Sequence, residues 1–379
     1  MQTNSLPFSF RIFILLVLAW AVSVTLSACG GGGRSVVCRT PPCKGEQPLE
    51  FLYATSTSGQ ILGMPVDPAT GAVVMSTSVA TGPAVSLGIT AVGSQFVYAS
   101  DFQSNQIYGY SIDQTNGALA PIGGSPFSEG PLGLPNGLVA GPGGNLLYAT
   151  AGIGVDGFSL SSAGVPALIA GSPFLSDGNL ELAIDPSGKF LFAPVLAQPG
   201  GVFAFTIDAT TGMLTVVPGS PFPFSGQKIP NSNPVGIVVD STGQFVYVAL
   251  GSANQVAAFS ITSGTGALTP VPGSPFSGGT KPFLLATTGK FLYVSNAGDG
   301  TVSGYSIDST SGVLTALAGS PYVVATASLV ADPAGKFLFG AGGAGIYAFT
   351  INVDGSLSPV SGSPFPEAEP VILTIVEIR

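Results

Sequence analysis

Short apolar runs alternate with Gly- and Pro-rich punctuation in one fixed order along most of this chain. From Asp185 to Phe222 the order is a turn, an apolar strand beginning at Phe190, a loop, a second strand, a second turn, a third strand and a closing Gly-Ser-Pro-Phe. The same order returns from Asp240 to Phe276, from Thr287 to Tyr322 and from Asp332 to Phe365. Weaker copies run from Val92 to Phe127 and from Gly141 to Phe174, and a degraded one starts near Leu49. Runs such as Phe190-Leu191-Phe192 and Phe291-Leu292-Tyr293-Val294 are apolar without a polar alternate. A strand with one wet face alternates, whereas a strand covered on both faces does not. These strands are therefore expected to be sandwiched between neighbouring sheets.

The closing serines, Ser125, Ser172, Ser220, Ser274, Ser320 and Ser363, are spaced 43 to 54 residues apart. A period in the forties with several short strands per copy is the mark of a β-propeller. Seven copies predict an all-β, seven-bladed propeller of four-stranded blades over residues 49–379. The first copy lacks an innermost strand, and the last segment, Pro370 to Ile378, is a strand with no blade to start. Pairing Ile372–Val376 with Phe51–Ala54 closes the ring and removes an exposed sheet edge.

The punctuation explains the turns. Asp185-Pro-Ser-Gly188 and Asp332-Pro-Ala-Gly335 join first and second strands: Pro presets φ, Gly accepts positive φ and the Asp caps the backbone. Asp113, Asp208 and Asp308, each followed by a Gly, turn the chain again. The aromatic of each Gly-Ser-Pro-Phe element is expected to fill a gap between blades.

Ahead of the repeats lies a targeting segment, set aside from the fold. Arg11 gives a positive start, residues 12–24 are apolar, and Leu26-Ser27-Ala28-Cys29 resembles a bacterial lipobox. The reading is a lipoprotein signal peptide over 1–28, with lipidation at Cys29 and the membrane as a partner through that anchor. A plain signal peptide and an uncleaved anchor are the alternatives. Gly30 after the cysteine is compatible with outer-membrane sorting, so the expected location is the cell envelope. Residues 29–48 read as a flexible tether. Cys38 and Cys43 lie outside the reducing cytosol on this reading, where a small disulfide loop is expected.

Composition narrows the chemistry. Charged residues make up 8% of the chain, the net charge is −9, and there is no histidine. With no basic stripe, nucleic-acid binding has no electrostatic footing. Ser-His-Asp and Cys-His catalysis are excluded, and two cysteines without histidine cannot complete a zinc shell. No cofactor and no metal is expected; a shallow Ca²⁺ site at Asp299 is the nearest candidate. Gly340, Gly342 and Gly345 match the letters of a phosphate-binding loop but lead into another strand, so they read as a short blade loop.

At this point the chain resembles a known family. Tyr293-Val294-Ser295-Asn296 follows Gly-Lys-Phe, and Val302-Ser303-Gly304-Tyr305-Ser306-Ile307-Asp308 follows in turn. This pattern is similar to the lactonase-type (YVTN, 6-phosphogluconolactonase-like) seven-bladed propellers. The resemblance implies ligand chemistry at the mouth of the central channel, with His, Glu and Arg in the enzymatic members. Here Asn136 and Val235 follow the prolines where such a histidine stands, and Arg379 is the sole arginine in the repeats.

Alignment of the copies puts Ser86, Asn136, Leu180, Val235, Lys281, Ala327 and Val371 at the start of the innermost strands. Asp101, Asn105, Gln198, Asn254, Asn296 and Asp299 fall in loops between second and third strands, and Glu181 lies one residue along its strand. The candidate ligand-binding residues are Asn136, Asn296 and Asp299. The expected role is binding of a protein or small ligand at one face of the ring. The alternative is a lactone hydrolase with Glu181 or Asp101 as base and Lys281 as electrostatic partner.

Overall fold

The structure is a computed structural model that describes residues 49–378 except 85, 131, 132, 134, 176–180, 196–199, 225–232 and 368. The leader, Cys29, Cys38, Cys43, Leu180, Gln198 and Arg379 lie outside the described residues. The regular structure among those described is all strand. It forms seven antiparallel sheets, each with four strands in order from the channel outward. Blade 5 is representative: Pro234–Val239, Phe245–Leu250, Gln255–Ile261 and Leu268–Pro270. Blade 1 is closed as the sequence predicts. Pro370–Ile378 is its innermost strand, with Phe51 opposite Val376 and Ala54 opposite Leu373.

The core consists of seven hydrophobic clusters, each between two adjacent blades. That is why the second strands carry unbroken apolar runs: both of their faces are buried. Fully burying side chains such as Phe192, Phe259 and Phe339 contributes about 1.5–3 kcal/mol each.

Two repeated devices lock the blades. The closing serine accepts a hydrogen bond from a third-strand amide in six blades, at 2.9–3.1 Å. The aromatic two residues later packs, partly buried, against the cluster beside it. The tyrosine of the Tyr-Val motif reaches the next blade. Tyr53, Tyr148, Tyr247 and Tyr293 donate to the carbonyls of Gly117, Gly212, Gly312 and Gly355 at 2.7–3.0 Å, and Tyr98 does the same to Gly164. Gly117 shows why that acceptor is a glycine: its φ is +70°, and a Cβ there would lie 2.3 Å from the Phe51 ring.

Strand direction gives the ring two distinct ends. One, the turn end, carries the tight turns between first and second strands and between third and fourth. The other, the loop end, carries the links between second and third strands and the crossovers between blades. Every described candidate site residue falls at the loop end.

Candidate functional site

The innermost strands meet around a cavity of about 140 Å³ that receives residues from all seven blades. Strand register fixes which positions face it. Ile89, Leu138, Ile237, Leu285, Leu329 and Leu373 pair with equivalent second-strand residues, and Ala183 opposite Phe192 puts Leu182 in the same place. One residue earlier stand Gly88, Gly137, Glu181, Gly236, Leu284, Ser328 and Ile372. The glycines are forced by close approach. A Cβ on Gly88 would lie 2.2 Å from the carbonyl oxygen of Asn136, and one on Gly236 would lie 2.4 Å from that of Phe283. Neighbouring backbones thus crowd the channel mouth; three of the seven positions are glycine, three are Leu284, Ser328 and Ile372, and one is Glu181.

Among the described residues Glu181 is the single titratable side chain in the lining. Burial raises its carboxyl from 4.5 to about 8, against the opposing pull of a hydrogen bond from the Leu182 amide. At pH 7 it is mostly protonated, and a protonated carboxyl is a hydrogen-bond donor.

The other candidates sit differently. Asp101 is buried, but its oxygens accept from the amides of Ala84 (3.1 Å), Gln103 (2.9 Å) and Ser104 (3.3 Å). Accepting from these amides, it fixes its own loop. Lys281 is exposed and lies outside the lining, with a φ of +53° and its amide bonded to Asn254 Oδ1 at 2.8 Å. It precedes Pro282 as Asn233 precedes Pro234 and Glu369 precedes Pro370, all three at positive φ. Pro282 pairs with Asn296 as Pro234 does with Leu250, so Phe283 takes the place that the sequence alignment gave to Lys281. Ser86 is displaced by one residue in the same way, and its hydroxyl bonds to Gly88 O. Glu181, Lys281 and Asp101 are therefore not brought together.

Asn136 is buried beside the channel; its amide donates to Thr150 Oγ1 at 2.9 Å while its Oδ1 has no partner. Asn296 and Asp299 do meet. Asn296 Nδ2 donates to Thr301 Oγ1 at 2.9 Å, and Thr301 in turn donates to Asp299 Oδ1 at 2.7 Å. Among the described residues no three metal-ligating side chains gather.

Sequence reasoning missed two carboxyls, Glu129 and Asp156, in the slot between blades 2 and 3. Glu129 is 5% exposed, Asp156 is 0% exposed, and all four side-chain oxygens lack a hydrogen-bond partner. Burial, with the Asp156 charge adding to it, raises Glu129 to about 9; burial raises Asp156 to about 6. The signal was present in the aligned copies. Where Asp156 stands, the other third strands carry Leu62, Tyr108, Phe203, Ala257, Ser303 and Tyr347. Glu129 occupies the place that buried Phe224 and Val324 fill elsewhere.

A family model described as "Lactonase, 7-bladed beta-propeller" matches residues 221–331. A candidate 6-phosphogluconolactonase from Bacteroides fragilis has a similar structure, with a TM-score of 0.72 at 21% identity, covering 89% of this chain and 100% of that one. A periplasmic gluconolactonase from Pseudomonas aeruginosa has a TM-score of 0.68 at 19% identity, covering 87% and 100%. No curated protein sequence matches the chain.

Proposed function

We propose that this lactonase-type propeller is a lipid-anchored, extracytoplasmic binding protein that takes a small uncharged ligand in the mouth of its channel. The observation behind this reading is Glu181, a mostly protonated carboxyl at the one ring position where other blades place Gly, Leu, Ser or Ile. A neutral carboxyl in a narrow, largely apolar mouth donates to a carbonyl or ether oxygen and disfavours an anion. A sugar lactone presents both kinds of acceptor, and the names of the structural relatives make gluconolactone the first probe.

One observation favours lactone hydrolysis as a second reading. A carboxyl that titrates at about 8 becomes a base within the working pH range of an enzyme. Water would then add to the lactone carbonyl with its proton passing to Glu181, and the ring C–O bond would break to give the hydroxy acid. The developing oxyanion also needs donors, and Lys281 does not line the channel. Binding therefore comes first.

Calorimetric titration with gluconolactone at pH 7, alongside a proton-release assay, separates the two readings. Binding predicts a saturable heat with no turnover above background. Affinity should fall about tenfold or more in Glu181→Leu, the worth of one hydrogen bond, and largely survive in Glu181→Gln, which keeps a donor. Turnover that rises with pH through about 8 and vanishes in Glu181→Gln would replace binding with hydrolysis. For the anchor, mass spectrometry of the mature N-terminus should find a lipidated Cys29; an unmodified Cys29 in membrane-extracted protein removes that part.

A further inference from the structure

The buried pair between blades 2 and 3 has no place in the channel chemistry. Glu129 sits just after Phe127–Ser128, the short strand of blade 2 that pairs with Gln106–Ile112, and its amide donates to Asn105 O at 3.2 Å. Asp156 is the third residue of Gly154–Leu160 in blade 3. The backbone at Gly130 passes directly over the aspartate: a Cβ there would lie 2.2 Å from Asp156 Oδ2. Each carboxyl is more than nine-tenths buried, and none of their four oxygens has a hydrogen-bond donor.

Two like charges in a dry slot without donors repel each other and forfeit their hydration. Other blades meet the packing need of these positions with Phe224, Val324, Phe203 or Ala257, so filling space does not call for carboxyls. A shared proton would serve one oxygen pair and leave the remaining oxygens bare. A doubly charged cation neutralises both groups and uses every oxygen.

We propose that Glu129 and Asp156 are ligands of a hard divalent cation of the calcium class, clamping blades 2 and 3 at the loop end. Carboxylates binding in one- or two-oxygen mode supply up to four of the six to eight oxygens that Ca²⁺ takes, and backbone carbonyls and water supply the rest. The cation would tie the crossover after blade 2 to the third strand of blade 3.

The test uses the full chain, stripped with EDTA and desalted, melted at pH 8.5 with and without CaCl₂ or MgCl₂. The proposal predicts that Ca²⁺ in hundredfold excess over its Kd raises Tm by roughly 4 °C. Calorimetry should show one site per chain. In the double variant Glu129→Gln, Asp156→Asn the Tm shift and the heat disappear, while its Tm in EDTA equals or exceeds that of the parent. Asp299→Asn, at the exposed acid of blade 6, keeps the full shift. Absence of shift and heat with both ions in the parent overturns the proposal and leaves a proton-sharing pair. A shift that survives in the double variant overturns it as well, because the ion then binds elsewhere.

Discussion

The repeated turn aspartates and three solitary loop-end acids are treated in opposite ways. At the turn end Asp240 is buried, yet its oxygens accept from the amides of Thr242 (3.1 Å), Gln244 (2.8 Å) and Phe245 (2.7 Å). Asp185 and Asp332 are held likewise, each by the amide that opens the second strand, at 2.6 Å. At the exposed turns, hydrogen bonds from the residues just downstream hold Asp67, Asp113, Asp208, Asp308 and Asp354 below the usual carboxylate range. At the loop end Glu129 and Asp156 are buried without that supply, Glu181 has the Leu182 amide alone, and all three are pushed upward. The turn-end aspartates recur from blade to blade; the loop-end acids each occur once. The repeated aspartates arrive with their donors; Glu129 and Asp156 arrive without them, as does Glu50 Oε2 in blade 1.

The comparison holds only while the ring is closed, and opening it has the largest expected effect. Deleting residues 370–379 removes the innermost strand of blade 1 and exposes Phe51–Ala54 along an edge. The truncated protein should show no cooperative melt; a transition like that of the parent would contradict the closure.

Next in size, Asp240→Ala leaves the buried Phe245 amide and two partly exposed amides without an acceptor and should cost about 1–3 kcal/mol in denaturant unfolding. The double variant Glu129→Gln, Asp156→Asn should move stability the other way, raising it by about 1–3 kcal/mol in metal-free buffer at pH 8. If both variants lose stability equally, the distinction between the two groups of acids fails.

The pH dependence sharpens the same point. Glu129 is raised in the folded state to about 9, with Asp156 the charge acting on it, so the native chain binds more protons than the unfolded one above pH 4.5. Stability should therefore fall as pH rises from about 5 to about 9. The slope is at most about 1.4 kcal/mol per pH unit for each such group. In metal-free buffer the double variant should have a flatter slope over this range. Smallest of all, Glu181→Gln should change stability by under about 0.5 kcal/mol at pH 6, where both side chains are neutral.

Most of the architecture was legible because it is written many times over. Apolar second strands, Asp-Pro turns and Ser-Pro-Phe closures each recur, and Pro370–Ile378 read as a strand in need of a blade. The site was less legible, because a side chain's role depends on register and on neighbours far away in sequence. Lys281 was aligned with Val235, but the strand pairing places Phe283 there and Lys281 before Pro282 at positive φ. The sequence offered Asp101 as a base, but not the three amides that donate to it. Glu181 stood out because no other copy carries an acid there. Asp156 had the same signal, but the partner that gives it meaning, Glu129, lies in the preceding crossover.

The most direct test is an infrared titration of the carboxyls in metal-free buffer, following the absorption of protonated acid between pH 5 and 10. The reading predicts a protonated-carboxyl band that persists at pH 7, fades above pH 8 and is lost in the triple variant Glu129→Gln, Asp156→Asn, Glu181→Gln. A parent with no such band at pH 7, its acids all ionised, would contradict it.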